Sequence, residues 1–303
     1  MIVRPRPRFF ELFFLLKGSI LRRIAPQLIT ILLFAVVVVG VQQAFPDPFQ
    51  SLVAAPFTLL GIAISIFLGF RNNACYDRWW EARRQLGQMV GEMRTLGRLS
   101  TSLLRNRDVE QRVLRSLAAY TYVLMAHLRN QAIPAEAATY LSDDALAAAR
   151  GSGNPPARIL RQVSNSYTDA LQYRTLTDIE FLALDNHVGA ITNIQVACER
   201  IASTPTPFTY TLLLHRTAYM FCFLLPLSLA PTLGWATPVF ATLIAYAFFG
   251  LDALGDQLEE PFGDHSNALP LSALARIIEI DLLEALGETD LPSYLQPVDY
   301  DLR

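Results

Sequence analysis

The chain sets long uncharged runs at either end around a middle patterned for helices. From Ile24 to Pro46 there are 23 residues without a charge, and from Pro48 to Phe70 there are 23 more. A membrane-spanning helix needs about 20 apolar residues, so each run is long enough. The PDPF between them is too short to hold a domain. A third uncharged run of 35 residues, Thr217 to Leu251, is interrupted by PLSLAPTLGWATP. It accommodates two crossings if the first begins near Phe208, which places His215 and Arg216 inside that crossing or at its edge. Four membrane helices are predicted, near 26–46, 50–70, 208–230 and 236–254. Pro226 and Pro231 are expected to kink the third.

The middle segment, 71–206, reads as helical. VEQRVLRSLAAYTYVLMAHLRN places Val113, Leu117, Tyr120, Leu124 and Leu128 on one stripe. GSGNPP at 151–156 is a breaker, and Thr177 with Glu180 fits a capping box that opens the next helix. No strand alternation or internal repeat appears. The region is expected to be a helical bundle continuous with the membrane helices.

The join between the second apolar run and this bundle is GIAISIFLGFRNNACYDRWWEARR, with no turn residue where apolar gives way to charged. As one helix, it puts Ile62, Ile66 and Phe70 on one face at i, i+4 and i+8. Gly61, Ser65 and Gly69 fall on the adjoining face with the same spacing. Small residues every four positions let membrane helices approach closely. If several copies surrounded an axis, the bulky face would form an apolar ring, and hydrophobic constrictions gate by dewetting. The alternative is that this face meets lipid or a protein core.

Composition supports the membrane class. The chain is 52% hydrophobic and 17% charged, against about 25% charged in average soluble chains. The net charge of −2 hides an asymmetry. Residues 1–23 carry six Arg or Lys against Glu11 alone, whereas 252–303 carry twelve acids against Arg276 and Arg303. Basic residues flank the first two predicted spans on one side, and the short loops carry none. The positive-inside rule therefore puts both termini and 71–206 in the cytoplasm. The first apolar run is too long for a cleaved signal peptide.

Little in the sequence suggests catalysis. Cys75, Cys198 and Cys222 have no CxxC spacing and read as small buried residues. No GxSxG, HExxH or glycine-rich phosphate loop occurs, so no enzyme, cofactor or metal is expected. No nucleic-acid partner is expected either. His215 and Arg216 are candidates for an ion path or for helix pairing at the membrane edge. Asp252, Asp256, Glu259 and Glu260 read as a solvated, helix-paired surface in preference to a cation site.

FLGFRNNACYDRWWEAR (67–83), CERIASTPTPFTYTLLLHR (198–216) and DALGDQLEEPFG (252–263) resemble the bestrophin family of ion channels, particularly its bacterial branch. The resemblance runs through nearly the whole chain. It implies one all-α channel-type domain over 1–303: a cytoplasmic N-terminus (1–23), two spans (24–70), cytoplasmic helices (71–206), two more spans (207–254) and an acidic cytoplasmic tail (255–303). It also implies a homopentamer around one axial pore in the lipid of a bacterial inner membrane. By position, Ile62, Ile66 and Phe70 correspond to the pore neck and Ile179 to a cytoplasmic constriction. Arg78, Trp79 and Trp80 match the family's most recognisable tripeptide. There the indoles are expected to pack the helix into the bundle, with Arg78 paired to an acid such as Asp77 or Glu81 of another helix.

One departure matters. Eukaryotic members follow the Pro-Phe-Gly motif with an acidic run that clasps calcium, but here DHSNALPL follows it. Calcium takes six to eight oxygen ligands, so a clasp of that type is not expected. Eukaryotic relatives pass anions, whereas some bacterial relatives pass monovalent cations. The acidic excess of 252–303, repeated around an axis, leans the expectation towards cations such as sodium. A chloride channel of the same architecture is the alternative, and a non-conducting membrane scaffold for a cytosolic partner is a third reading.

Overall fold

The computed structural model describes residues 1–4, 10–11, 18–47 and 55–302. Residues 5–9 and 12–17 of the basic head, the second half of the PDPF linker and the start of the second predicted span lie outside them. Among the described residues there is no strand, only isolated bridges from Asp301 to Ile2 and to Val298. The chain divides into two compact units. One comprises Met1–Val3, Trp80–Thr204 and Phe262–Arg303; the other comprises Arg4–Trp79 and Pro205–Pro261.

The second unit holds the apolar helices: α1 (Leu21–Ala44), the first part of α2 (Ala55–Leu103), α8 (Phe208–Leu233) and α9 (Thr237–Glu259). A 3-10 turn, Gly234–Ala236, joins the last two. Gly234 sits at φ +52°, where a side chain would be strained, and its N–H caps Ala230 O. The chain doubles back there. Tyr219 stacks near Phe249 (4.5 Å) and Phe221 near Phe248 (5.0 Å), as in an antiparallel hairpin. Helix α8 runs unbroken through Pro226 and Pro231, so neither proline ends it. The stretches Leu21–Ala44, Ala55–Leu103 and Phe208–Glu259 are each long and apolar enough to cross a membrane.

Small side chains hold this bundle together. Ala35, Ala218, Cys222, Ala241 and Ala245 are fully buried in one cluster with Ile31 and Leu68, which lets the backbones approach closely. On the outer face of α1, Ile29, Leu33 and Val37 stand exposed four residues apart. A helix apolar on every side suits a lipid surround better than water.

The first unit is built around α3 (Arg107–Leu128), which is buried on nearly all sides. The predicted stripe Val113–Leu128 is indeed internal, but Leu114, Ala118 and Val123 on other faces are buried too. Around it lie α4 (Ala135–Ala138), α5 (Asp143–Arg150), α6 (Pro155–Gln172), α7 (Asp178–Ser203) and α10 (Leu271–Ala285). GSGNPP separates α5 from α6, and Asn154 caps α6 by accepting from Ala157 N at 3.1 Å. The capping box on α7 is present: Thr177 Oγ1 accepts from Glu180 N, and Glu180 Oε2 accepts from Thr177 N at 2.8 Å. The second part of α2 crosses α10 closely, since a Cβ on Gly97 would meet Leu282 Cδ2 at 3.0 Å.

Candidate pore-lining face and the ion cluster beside it

Helix α2 continues from Ala55 to Leu103 without a break, so the apolar and charged halves of the join do form one helix. Nothing in its composition stops it: there is no internal proline after Pro56, and single glycines are tolerated. Ile62, Ile66 and Phe70 are each more than half exposed, at 54%, 51% and 61%. They form an unpaired row of large apolar side chains on this chain.

The adjoining small residues behave differently from one another. A Cβ on Gly61 would meet the Phe221 ring at 3.0 Å, so glycine is what lets α8 approach α2 there. Ser65 turns its hydroxyl back to Gly61 O at 2.8 Å. Gly69 has no atom within 4 Å of such a Cβ. Beside Gly61, Ile62 and Ile66 lies an apolar groove of about 460 Å³ closed by Phe221, Leu225 and Ile244.

Immediately after Phe70 the helix becomes charged, and the first charge is buried. Arg71 has no exposed side-chain surface; its Nη1 donates to Asp252 Oδ1 at 2.8 Å and its Nη2 to Asp256 Oδ1 at 2.6 Å. Glu259 Oε2 stands 3.6 Å from the same Nη2. Asp252, Asp256 and Glu259 fall at i, i+4 and i+7 on α9, one helical face. Arg23 of α1 donates to Asp256 Oδ2 at 3.1 Å, and His215 Nδ1 lies 2.7 Å from Asp252 Oδ2. Gly255 makes the cluster possible, because a Cβ there would sit 2.6 Å from Asn72 Oδ1 and 3.2 Å from Arg71 Nη1.

Asp252 is therefore not part of a solvated face. It is 3% exposed, and these acids compensate a buried guanidinium, as charges out of water require. His215 takes the helix-pairing role, tilted over Tyr219 at 4.3 Å. The sequence reading missed Arg71. The i, i+4, i+7 spacing of the acids places them on one helical face, but spacing alone does not tell a buried cation from water.

Arg78 Nε donates to the backbone carbonyl of Glu259 at 2.8 Å, so it meets an acid of another helix through that residue's main chain. Glu81 instead faces Arg84 at 3.5 Å and Gln85 at 2.7 Å. Trp79 stacks on Tyr76 at 6.4 Å. Trp80 is half exposed at 50%, so only one of the two indoles is largely covered within the chain. Ile179, at the first turn of α7, is 82% exposed.

Seven of the twelve acids of 252–303 meet a cation within the chain. Asp252, Asp256 and Glu259 surround Arg71, Glu279 pairs with Arg276, Asp281 with Arg94 and Glu288 with Arg115. Asp301 faces the N-terminal amine at 3.2 Å. Each of these seven acids pairs with a cation of its own unit, the three around Arg71 sharing it.

Comparison with known proteins agrees with this architecture. The sequence profile described as "Bacterial/Fungal Bestrophin protein" matches residues 1–284. A "Voltage-dependent anion channel-forming protein" of Mesorhizobium japonicum is 44% identical over 288 residues, 95% of this chain and 93% of that protein. A protein of the same description from Escherichia coli K12 is 38% identical over 297 residues, 98% of each chain. The crystal structure of a bacterial bestrophin homologue from Klebsiella pneumoniae superposes with a TM-score of 0.84 at 36% identity, over 88% of this chain and 99% of that one. An α-helical chain with long apolar helices, one of which carries an exposed isoleucine and phenylalanine row, thus belongs to the bestrophin family.

Proposed function

We infer that the protein is a passive, homopentameric ion channel of a bacterial inner membrane, with four crossings per subunit and both termini in the cytoplasm. Ions would pass a wide cytoplasmic vestibule, an apolar neck of Ile62, Ile66 and Phe70, and a short outer mouth. The observation that carries this reading is the exposed row of those three side chains, one turn apart on a single face of a helix that also exposes Leu59, Leu60 and Phe67. Burying large apolar groups is worth about 1.5–3 kcal/mol each, so a row left outside the core has a use elsewhere. Ile179 is a candidate second constriction, since it projects from the start of α7.

Anions are the better reading of the permeant ion. Relatives over nearly the full length carry the description voltage-dependent anion channel-forming protein. The acidic tail favours cations less than its composition suggests, because seven of its twelve acids lie in ion pairs within the chain. A purified protein in planar bilayers under an about tenfold NaCl gradient tests the proposal. Reversal near the chloride potential is expected. Reversal near the sodium potential would restore the cation reading, and no current at all would favour a membrane scaffold.

A further inference from the structure

Glu279 is 4% exposed, and its carboxylate is fully engaged. Oε2 accepts from Tyr122 OH at 2.7 Å, Oε1 accepts from Tyr140 OH at 2.6 Å, and Arg276 Nε stands 2.7 Å from Oε2 as an ion pair. Arg276 Nε also reaches Tyr122 OH at 3.1 Å. This arrangement uses one of the five N–H donors of the guanidinium. Among the described residues, Nη1 and Nη2 of Arg276 make no hydrogen bond and no further ion pair. A carboxylate normally takes two parallel donors of such a fork, and here Glu279 meets Nε alone.

Arg276 lines a cavity of about 230 Å³ in the first unit, between α3, α10, the loop before α4 and the C-terminal segment. The floor is apolar and buried, with Met125 and Ala126 of α3 at 5% and 7% exposure. Arg129 adds a second cation to the wall; its own N–H groups point at the carbonyls of Phe262 and Gly263. Leu295 closes the rim from the C-terminal segment. A volume of this size corresponds to about eight liquid waters, or one small organic molecule. Its walls offer two arginines against one acid, Glu136, with the polar side chains of Gln131 and Ser272 and an apolar bed of Met125, Ala126 and Leu295.

We propose that this cavity binds a small organic carboxylate, held by Nη1 and Nη2 of Arg276 with its apolar body on Met125, Ala126 and Leu295. An inorganic anion would meet the fork but leave the apolar floor wet. A neutral apolar molecule would leave the fork unpaired. The site is independent of the pore and would stand whatever ion the protein passes.

Isothermal titration of the full-length protein in detergent with sodium benzoate, against sodium phosphate and sodium chloride, tests this. Benzoate is expected to bind saturably. Arg276→Lys keeps a charge beside Glu279 but loses the fork, and should weaken binding by about tenfold or more. Leu295→Trp fills the cavity from a 41% exposed position, so it should abolish binding while leaving the fold intact. It decides the matter if Arg276→Lys misfolds. No benzoate binding to the unaltered protein, or equal binding in both variants, overturns the proposal. Displacement of benzoate by phosphate or chloride at equal concentration would overturn the organic ligand and leave a plain anion site.

Discussion

Arg71 Nη1 lies 2.8 Å from Asp252 Oδ1, with neither side chain more than 4% exposed, one residue after the last side chain of the candidate neck. An arginine at this place lets a single helix leave an apolar environment and turn polar without a break. Its charge is met by α9 before it meets solvent. Removing one partner of a buried pair leaves the other uncompensated and costs about 3–5 kcal/mol. Arg71→Met should therefore lower the thermal midpoint of the detergent-purified protein strongly. Adding Asp252→Asn should recover part of the loss, because one of the stranded carboxylates is neutralised. Additive effects of the two changes would mean that the pair is not coupled.

Gly61 and Gly69 look equivalent in sequence and are not equivalent in structure. Phe221 is 4% exposed and packed on Phe248, so it has little room to retreat from a side chain at position 61. Gly61→Leu should destabilise the folded subunit by about 1–3 kcal/mol through overpacking. Gly69→Leu meets nothing within 4 Å in its own chain. It should leave the subunit's thermal stability near that of the parent and instead disrupt the proposed pentamer, visible as a smaller mass by light scattering. A pentamer that survives Gly69→Leu would remove position 69 from the subunit contact.

Stability should fall at alkaline pH in two stages. Burial, assisted by neighbouring Glu199, pushes the Cys198 thiol up to about 12 from an ordinary 9.0. Burial and the hydrogen bond to Glu279 raise the Tyr122 hydroxyl well above its ordinary 10.0. In both cases the folded state holds its proton more tightly than the unfolded state. The contribution is therefore fully present below the unfolded value and is lost as pH rises above it. The thermal midpoint should decline from about pH 9 and more steeply from about pH 10. Cys198→Ala should flatten the decline between pH 9 and 10 while shifting the whole curve by a constant. An unchanged slope would show that Cys198 does not contribute there.

Much of this was legible in the sequence for definite physical reasons. The uncharged runs exceed the length a bilayer needs, and the absence of a breaker between Phe70 and Trp80 allows only a continuous helix. Thr177 with Glu180 specifies a helix start whose parts lie three residues apart, so local chemistry suffices. The Arg71 cluster was not legible, because its partners are 181 residues apart for Asp252 and 185 for Asp256. A row of acids at a helix end looks the same whether it faces water or a buried cation. The exposure of Trp80 escaped for a related reason. Tryptophan composition signals burial on average, but not which chain supplies the cover.

Ile179 separates a structural role from a functional one. At 82% exposure it contributes little to the fold, and exposed substitutions usually stay within about 0.5 kcal/mol of the parent. Ile179→Ala should keep the thermal midpoint and change single-channel conductance or relative ion permeability. If both are unchanged, the cytoplasmic constriction lies elsewhere.

Ile66 is the most direct test of the neck. It lies midway along the exposed row, one turn from Ile62 and one from Phe70, with 51% of its surface free in the subunit. Truncation to alanine removes three carbons per subunit from a ring that would be closed by dewetting, and dewetting is sensitive to both width and apolar area. Ile66→Ala should therefore raise open probability or unitary conductance in planar bilayers. Its reversal potential should stay that of the parent, because an apolar ring gates by hydration and carries no charge with which to choose an ion. A reversal potential that moves would make the neck a selectivity element. Unchanged currents would place Ile66 against lipid or a neighbouring helix, and the pore would have to be sought on another face of α2.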